Sequence, residues 1–420
     1  MSADTRSSDH PHYEDALALE LDGAVEVPIA ERTGTRVGGG VLLAAAVVLT
    51  ALNLRPSVTS VAPLLGEMRG ALGTSSVWAG VLTTLPVLCF SGAGFAAPWL
   101  AKRLGLGRTV SVALLVMTTG LALRPYGDGY LMLGATLIAS SGIALANVLI
   151  PVVIKTSFPA RVGLLTGIYT AALQAGGALG AAVTPAVEQD LGGWRPSLAA
   201  WSALAVLALA VWIPASRGHR TDSAPTTATP RRRSLLGNRL AWTVTLYMGS
   251  QSLLAYIMMG WLPQIFIDHG LDKTTAGMLS GVMSLIGVPV ALLICPLAAR
   301  STTQSWWNAG LGALGLAGTI GLMVAPTAAP VLWSSLIGIG MSAFSLALTV
   351  IALRARNAQD TAQLSGMAQG FGYLLASTGP FLFGLLHDVS GGWNAPFVLF
   401  FAVYGVQLLA GAAAGRNRHI

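Results

Sequence analysis

Gly38–Leu65 reads GGGVLLAAAVVLTALNLRPSVTSVAPLL, and this stretch decides the fold class. From Val41 to Leu52 every residue except Thr50 is apolar. A membrane-barrel strand would alternate apolar and polar positions over about ten residues, and this run does not. It reads as a helix buried on all sides. A helix of about 20 apolar residues crosses the ~30 Å hydrocarbon layer of a bilayer, so the stretch is long enough to span. Its one charge, Arg55, falls in the second half, within Asn53-Leu54-Arg55-Pro56-Ser57.

The rest of the chain follows the same pattern. Of 420 residues, 54% are hydrophobic and only 10% charged, with a mean hydropathy of +0.67. Soluble domains carry roughly 25% charged residues, so this chain cannot cover a water-facing surface. Twelve apolar segments are predicted, at 38–65, 76–100, 109–124, 130–153, 162–187, 195–213, 239–265, 275–299, 306–325, 330–352, 362–387 and 393–414. The expected fold is an all-α membrane protein with twelve transmembrane helices.

The net charge of +7 is not a nucleic-acid footprint, because its placement follows the loops. With the amino terminus inside, nineteen Lys and Arg fall on the inner loops and tails, and four (Arg69, Arg124, Arg195, Lys273) on the outer loops. That bias predicts a multi-pass protein of the inner (plasma) membrane with both termini cytoplasmic. Residues 1–36 hold eight acids and no basic stretch followed by an apolar core, so they read as a disordered acidic cytoplasmic tail rather than a secretory signal. A Pro-, Thr- and Arg-rich linker at 214–238 separates an N-terminal bundle (37–213) from a C-terminal bundle (239–414), and 415–420 form a second tail. Cys89 and Cys295 both sit in apolar runs, which rules out a disulfide scaffold.

The halves repeat. Leu165-Thr166-Gly167 precedes Gly192-Gly193-Trp194, and Leu364-Ser365-Gly366 precedes Gly391-Gly392-Trp393, at an offset of 199 positions that Lys155 and Arg354 share. Ala79-Gly80 with Pro98 matches Ala276-Gly277 with Pro296 at 197–198. Span five corresponds to span eleven without inversion. The repeat is therefore parallel, a pseudo-twofold axis along the membrane normal, and it predicts two six-helix bundles rocking about a site between them.

An ionisable group inside the membrane is a functional candidate by default. Arg55 is that candidate: a guanidinium always charged, with five donors in a flat fork and no acid partner evident in the sequence. Neutral polar and aromatic side chains complete the predicted substrate site: Asn147 in span four, Tyr169 and Gln174 in span five, Gln251, Tyr256 and Trp261 in span seven. Gln369 and Tyr373 belong with Ser365 and Ser377 to a four-residue ladder on one face of span eleven. Acids are absent from the span interiors. His387-Asp388, at the end of span eleven, reads as structural, which leaves the coupling ion unassigned. No His-Glu-x-x-His, Gly-x-Ser-x-Gly or P-loop pattern occurs, and the six histidines lack metal-ligand spacing. No enzyme, cofactor or metal is expected.

At these residues the chain resembles the major facilitator superfamily, and within it the branch of cyanate and 2-nitroimidazole transporters. Leu52–Pro56 with Pro63-Leu64-Leu65 is similar to the branch's opening motif. Asn147–Pro151 leading to Lys155, Phe158-Pro159 and Arg161 is similar to the branch's fourth-to-fifth span passage, and Thr166–Tyr169, Trp261-Leu262-Pro263 and Gln369–Tyr373 also resemble the branch. The resemblance implies the superfamily's twelve-helix fold, a monomer and secondary transport of a small solute. One departure is Lys102, which stands where the superfamily usually has an Asp after span two, so the latch made there elsewhere is not expected. The expected function is secondary active or facilitative transport of a small anion or small planar polar solute (cyanate-like, carboxylate or nitroheterocycle) by alternating access. The partners are that solute and the lipid bilayer, with no nucleic acid. Efflux of neutral or weakly basic drugs is the first alternative, and a non-transporting receptor or scaffold is the second.

Overall fold

The computed structural model describes residues 37–158, 161–217, 235–356 and 358–420. The tail 1–36, Pro159 of the passage between spans four and five and most of the linker (218–234) lie outside the described residues.

Twelve long helical units follow in order: α1 (Val37–Leu54, continued by short pieces to Leu72), α2 (Ser76–Leu104), α3 (Leu106–Leu123), α4 (Gly129–Ser157), α5 (Val162–Leu191), α6 (Trp194–Arg217), α7 (Arg239–Asp268), α8 (Lys273–Arg300), α9 (Ser305–Val324), α10 (Pro330–Met341 and Ala343–Arg354), α11 (Ala358–Ser390) and α12 (Asn394–Ala414). Among the described residues, nine helices are long and apolar enough to cross a membrane. The other three units are α5, α7 and α11, of 30, 30 and 33 residues, which are also long enough at 1.5 Å per residue. Their apolar runs are interrupted by the Gln, Tyr, Ser and Thr residues singled out above. This is the expected outcome for helices that face protein: α7 is buried over most of its circumference.

The internal repeat is realised in matched helix ends. Gly192 after α5 and Gly391 after α11 adopt φ of +73° and +67°, the left-handed turn that glycine makes without a Cβ clash. At the following starts, Ser75 caps α2 by accepting from the Trp78 amide, and Asp272 caps α8 by accepting from the Thr275 amide. The capping positions are 197 apart, the same offset read from the sequence.

Two cores result. One joins α1 through α6. The other fills the second half and reaches across to take in Val61, Leu64, Leu65 and Met68 from the end of α1 and Ala79, Leu82 and Val87 of α2. The bundles are therefore fused at the end that carries the α1–α2, α5–α6, α7–α8 and α11–α12 connections. Arg124 and Arg354, read from the sequence as loop and span-end cations, are instead buried at 1% and 2% exposure. Arg124 Nη1 donates to the Ser57 carbonyl at 2.6 Å, its Nε and Nη2 remaining unpaired among the described residues, and Arg354 donates to Gln304 and to the Arg418 carbonyl.

Candidate substrate site

The site starts at the break in α1. Pro56 has no amide hydrogen, so the helical bond to the Leu52 carbonyl cannot form, and the chain restarts as a four-residue helix, Pro56–Thr59. The break is pinned on all sides. Asn53 donates to Leu49 O at 2.8 Å and across to Leu204 O on α6 at 3.1 Å. Ser57 donates to Asn53 O at 3.2 Å, and Arg124 holds Ser57 O. Arg55 sits at the joint. On α5, Gly177 lies under its side chain, where a Cβ would come within 3.2 Å of Arg55 Cδ; at Gly180 a Cβ would reach Pro56 Cα at 2.7 Å. Two glycines one turn apart thus admit the broken segment against α5, the close approach that small residues allow in membranes.

Arg55 is half-buried, and its guanidinium has no hydrogen-bond or ion-pair partner among the described residues. The groups within its electrostatic reach are the phenols of Tyr256, Tyr373 and Tyr169, without a carboxylate. Phenols are neutral at ordinary pH, so the positive charge is uncompensated by protein. Tyr169 donates to Asn147 Oδ1 at 2.8 Å, which fixes the phenol on the α4 side. From the other bundle, Tyr256 and Tyr373 meet edge to face, with centroids 6.5 Å apart.

The structure thus gathers Arg55, Asn147, Tyr169, Tyr256 and Tyr373. Gln369 stands one turn along α11 from Tyr373 and donates to Ser365 at 2.7 Å. The α11 ladder faces α2, for Thr84 donates to Ser377 O at 3.0 Å. The other three expected site residues have protein partners of their own. Gln174 donates across the bundles to Ser284 O at 3.1 Å. Gln251 is buried against α10, its amide directed at Met341 O. Trp261 is fully buried, its indole donating to Pro380 O at 3.2 Å and its ring packed on Phe383 and Trp393. These two brace the second bundle in this conformation, because no surface of Trp261 is left for a solute. A further ring, Phe90 of α2, lies 5.9 Å from Tyr373 and 6.4 Å from Tyr256. The sequence reading passed over it, since a lone Phe in an apolar span carries no polar signal.

Above the site, polar contacts clasp the two bundles together. Lys273 at the start of α8 bridges Glu67 and Glu188, the latter at 3.0 Å. At the repeat-related place, His387 Nδ1 lies 3.4 Å from Ser76 Oγ. Asp388 accepts the Val77 amide at 2.9 Å and pairs with Arg69 at 3.8 Å. Glu188 and His387 are 199 positions apart, Ser76 and Lys273 197, so the clasp is built twice by the repeat. Its contacts run inward to Ser91, which donates to Gly370 O at 3.1 Å. Nearer the opposite end, Gly94, Gly167 and Gly366 have open space where a Cβ would stand. The two bundles are thus tied together at the clasped end.

Comparisons with known proteins bear on the fold and the family. The model of the Major Facilitator Superfamily matches residues 41–380. An uncharacterized transporter of Bacillus subtilis, YycB, is 40% identical over 377 residues, covering 89% of this chain and 93% of that protein. The 2-nitroimidazole transporter of Escherichia coli is 38% identical, covering 90% and 97%, and the cyanate transport protein CynX of the same organism is 34% identical, covering 82% and 90%. Among solved structures, a D-xylose-proton symporter superposes with a TM-score of 0.72 over 90% of this chain and 97% of that chain; at 14% identity this speaks for the fold alone. A twelve-helix repeat, a broken first helix with an unpaired arginine and relatives at this identity lead to one assignment: the chain belongs to the Major Facilitator Superfamily, among the relatives of cyanate and 2-nitroimidazole transport proteins.

Proposed function

We propose that the protein moves a small anion, or a small planar polar solute, across the plasma membrane by alternating access, with Arg55 as the group that meets the substrate's charge. The observation that carries this reading is the uncompensated guanidinium, with three phenols and no carboxylate within its electrostatic reach. A buried cation is costly unless paired, and an incoming anion supplies the missing partner. The flat five-donor fork suits a carboxylate, a cyanate-like ion or a nitro-substituted ring. Tyr169, held by Asn147, and Tyr256 and Tyr373 from the opposite bundle wall the site, and Gln369 lines its approach. The named substrates of the relatives, cyanate and 2-nitroimidazole, have these chemistries. With the charge bias of the loops placing both termini inside, the closed clasp is the outer gate and the site opens to the cytoplasm. The protein works as a monomer, the site being complete within one chain.

The test is uptake of cyanate, benzoate and 2-nitroimidazole into proteoliposomes. A hydrogen bond to a charged group contributes about 1.5–3 kcal/mol, so Arg55→Ala lowers apparent affinity about ten- to hundredfold. Arg55→Lys restores part of it by charge without the fork. Uptake of all three that is unaltered by Arg55→Ala removes the proposed role.

A further inference from the structure

We infer that Phe90 is a specificity-determining residue of this site, the ring that selects flat conjugated solutes over compact linear ones; this rests on reading Arg55 as the substrate's counter-charge. Three observations carry it.

The first is position between the bundles. Phe90 is half-buried and packs against the core of the second bundle and also against that of the first. Side chains of this chain otherwise described as half-buried apolar neighbours of a core belong to one or the other. Among the described residues, Phe90 is the half-buried apolar side chain that packs against both cores.

The second is the company of its ring. Phe90 lies nearly parallel to Tyr256, with a 29° interplanar angle at 6.4 Å, and tilted by 42° to Tyr373 at 5.9 Å. These are the two phenols of the second bundle within electrostatic reach of Arg55. The three rings form a continuous aromatic wall, one from α2, one from α7 and one from α11, beside a cation. Ring faces attract other flat π systems in offset or edge-on arrangements. A conjugated ring anion therefore gains from both the wall and the guanidinium. A linear triatomic anion satisfies the guanidinium but presents no face to the wall.

The third is that the ring's direction is fixed by its neighbours in sequence. Ser91 ties α2 to α11 through Gly370 O, one turn before Tyr373. On the other side, Cys89 turns to α4, with Sγ 3.8 Å from Leu137 O and 3.6 Å from Ser141 Oγ. Residues 89 and 91 are thus engaged to either side, which leaves Phe90 directed at the two tyrosines.

The experiment compares Phe90→Ala, Phe90→Leu and Phe90→Trp in proteoliposomes with benzoate and 2-nitroimidazole as ring probes and cyanate as the linear probe. Phe90→Ala is expected to raise KM for both rings about five- to tenfold at unchanged maximal rate, and to change cyanate uptake less than about twofold. Phe90→Leu keeps apolar bulk without a π face, so it should behave as Phe90→Ala, and Phe90→Trp as wild type. Phe90→Leu also guards against an alanine variant that fails to fold. A wild-type response from Phe90→Leu makes Phe90 a space-filler and overturns the inference. So does equal loss of ring and linear probes in Phe90→Ala, or ring uptake that Phe90→Ala leaves unchanged. If Arg55→Ala abolishes uptake of all three while the Phe90 variants do nothing, the counter-charge reading stands and the specificity role falls. Wild-type protein that carries none of the probes refutes both.

Discussion

Replacing Lys273 with Gln should unclasp the closed end, and the size of the effect can be worked from its contacts. Its ammonium serves Glu67 on the extension of α1 and Glu188 at the end of α5, both in the opposite bundle. The three side chains are 29%, 34% and 13% exposed, so solvent screens the pairs in part. Exposed ion pairs are worth ~0.2–1 kcal/mol each. Two pairs on one lysine, plus the repulsion left between the two glutamates, give about 1–2 kcal/mol for the variant. That is about a five- to thirtyfold shift from closed to open at this end. The assay is a pulsed spin-label distance between exposed Ala71→Cys and Val389→Cys, on the α1 and α11 sides of the mouth, with Cys89 and Cys295 replaced by Ser. The distance distribution should gain a longer component in Lys273→Gln. The wild type should approach the variant as salt rises, since the Debye length shrinks from ~30 Å at 0.01 M to ~3 Å at 1 M. A Glu67→Gln, Lys273→Gln double-mutant cycle should show coupling. An unchanged distribution at 0.01 M salt refutes the clasp as a determinant of the closed state.

Two further outcomes follow from close approaches. Gly177→Ala puts a Cβ within 3.2 Å of Arg55 Cδ; it should weaken anion uptake about tenfold by displacing the guanidinium, while the purified protein keeps its melting temperature within a few degrees. At Gly80 a Cβ would stand 3.0 Å from Phe381 Cα on α11, so Gly80→Val should wedge α2 from α11. The same spin-label pair should then report the open form, and a Gly80→Val protein that still closes would remove that helix contact from the gate.

Much of the fold was legible because bilayers impose simple rules. Apolar runs of about 20 residues mark spans, and the paired Gly-Gly-Trp signatures exposed the duplication that the structure realises at Gly192 and Gly391. Arg55 was legible for the same reason: a charge within an apolar run stands out against its background. The polar residues were a mixed signal. Tyr169, Tyr256 and Tyr373 converge on Arg55, whereas Trp261 and Gln251 found partners within their own bundle. A polar group on a membrane helix must be satisfied somewhere, and one sequence does not say whether protein or solute satisfies it. Arg124 was placed in a loop because it ends an apolar run, yet it is buried to hold the broken strand of carbonyls in α1. Phe90 was invisible, since its significance lies in what stands opposite.

Hydrophobic patterning along the chain thus determined that this protein is a duplicated helical membrane protein with one charge set deep in its first helix, because burial in lipid is a property of each segment taken singly. Only the tertiary structure decided which side chains meet that charge, which end of the molecule is clasped, and that an aromatic wall is shared between the bundles. Those are relations between helices distant in sequence. They depend on rotation and register, which the small residues and prolines at the helix contacts set through packing, and which no single segment encodes.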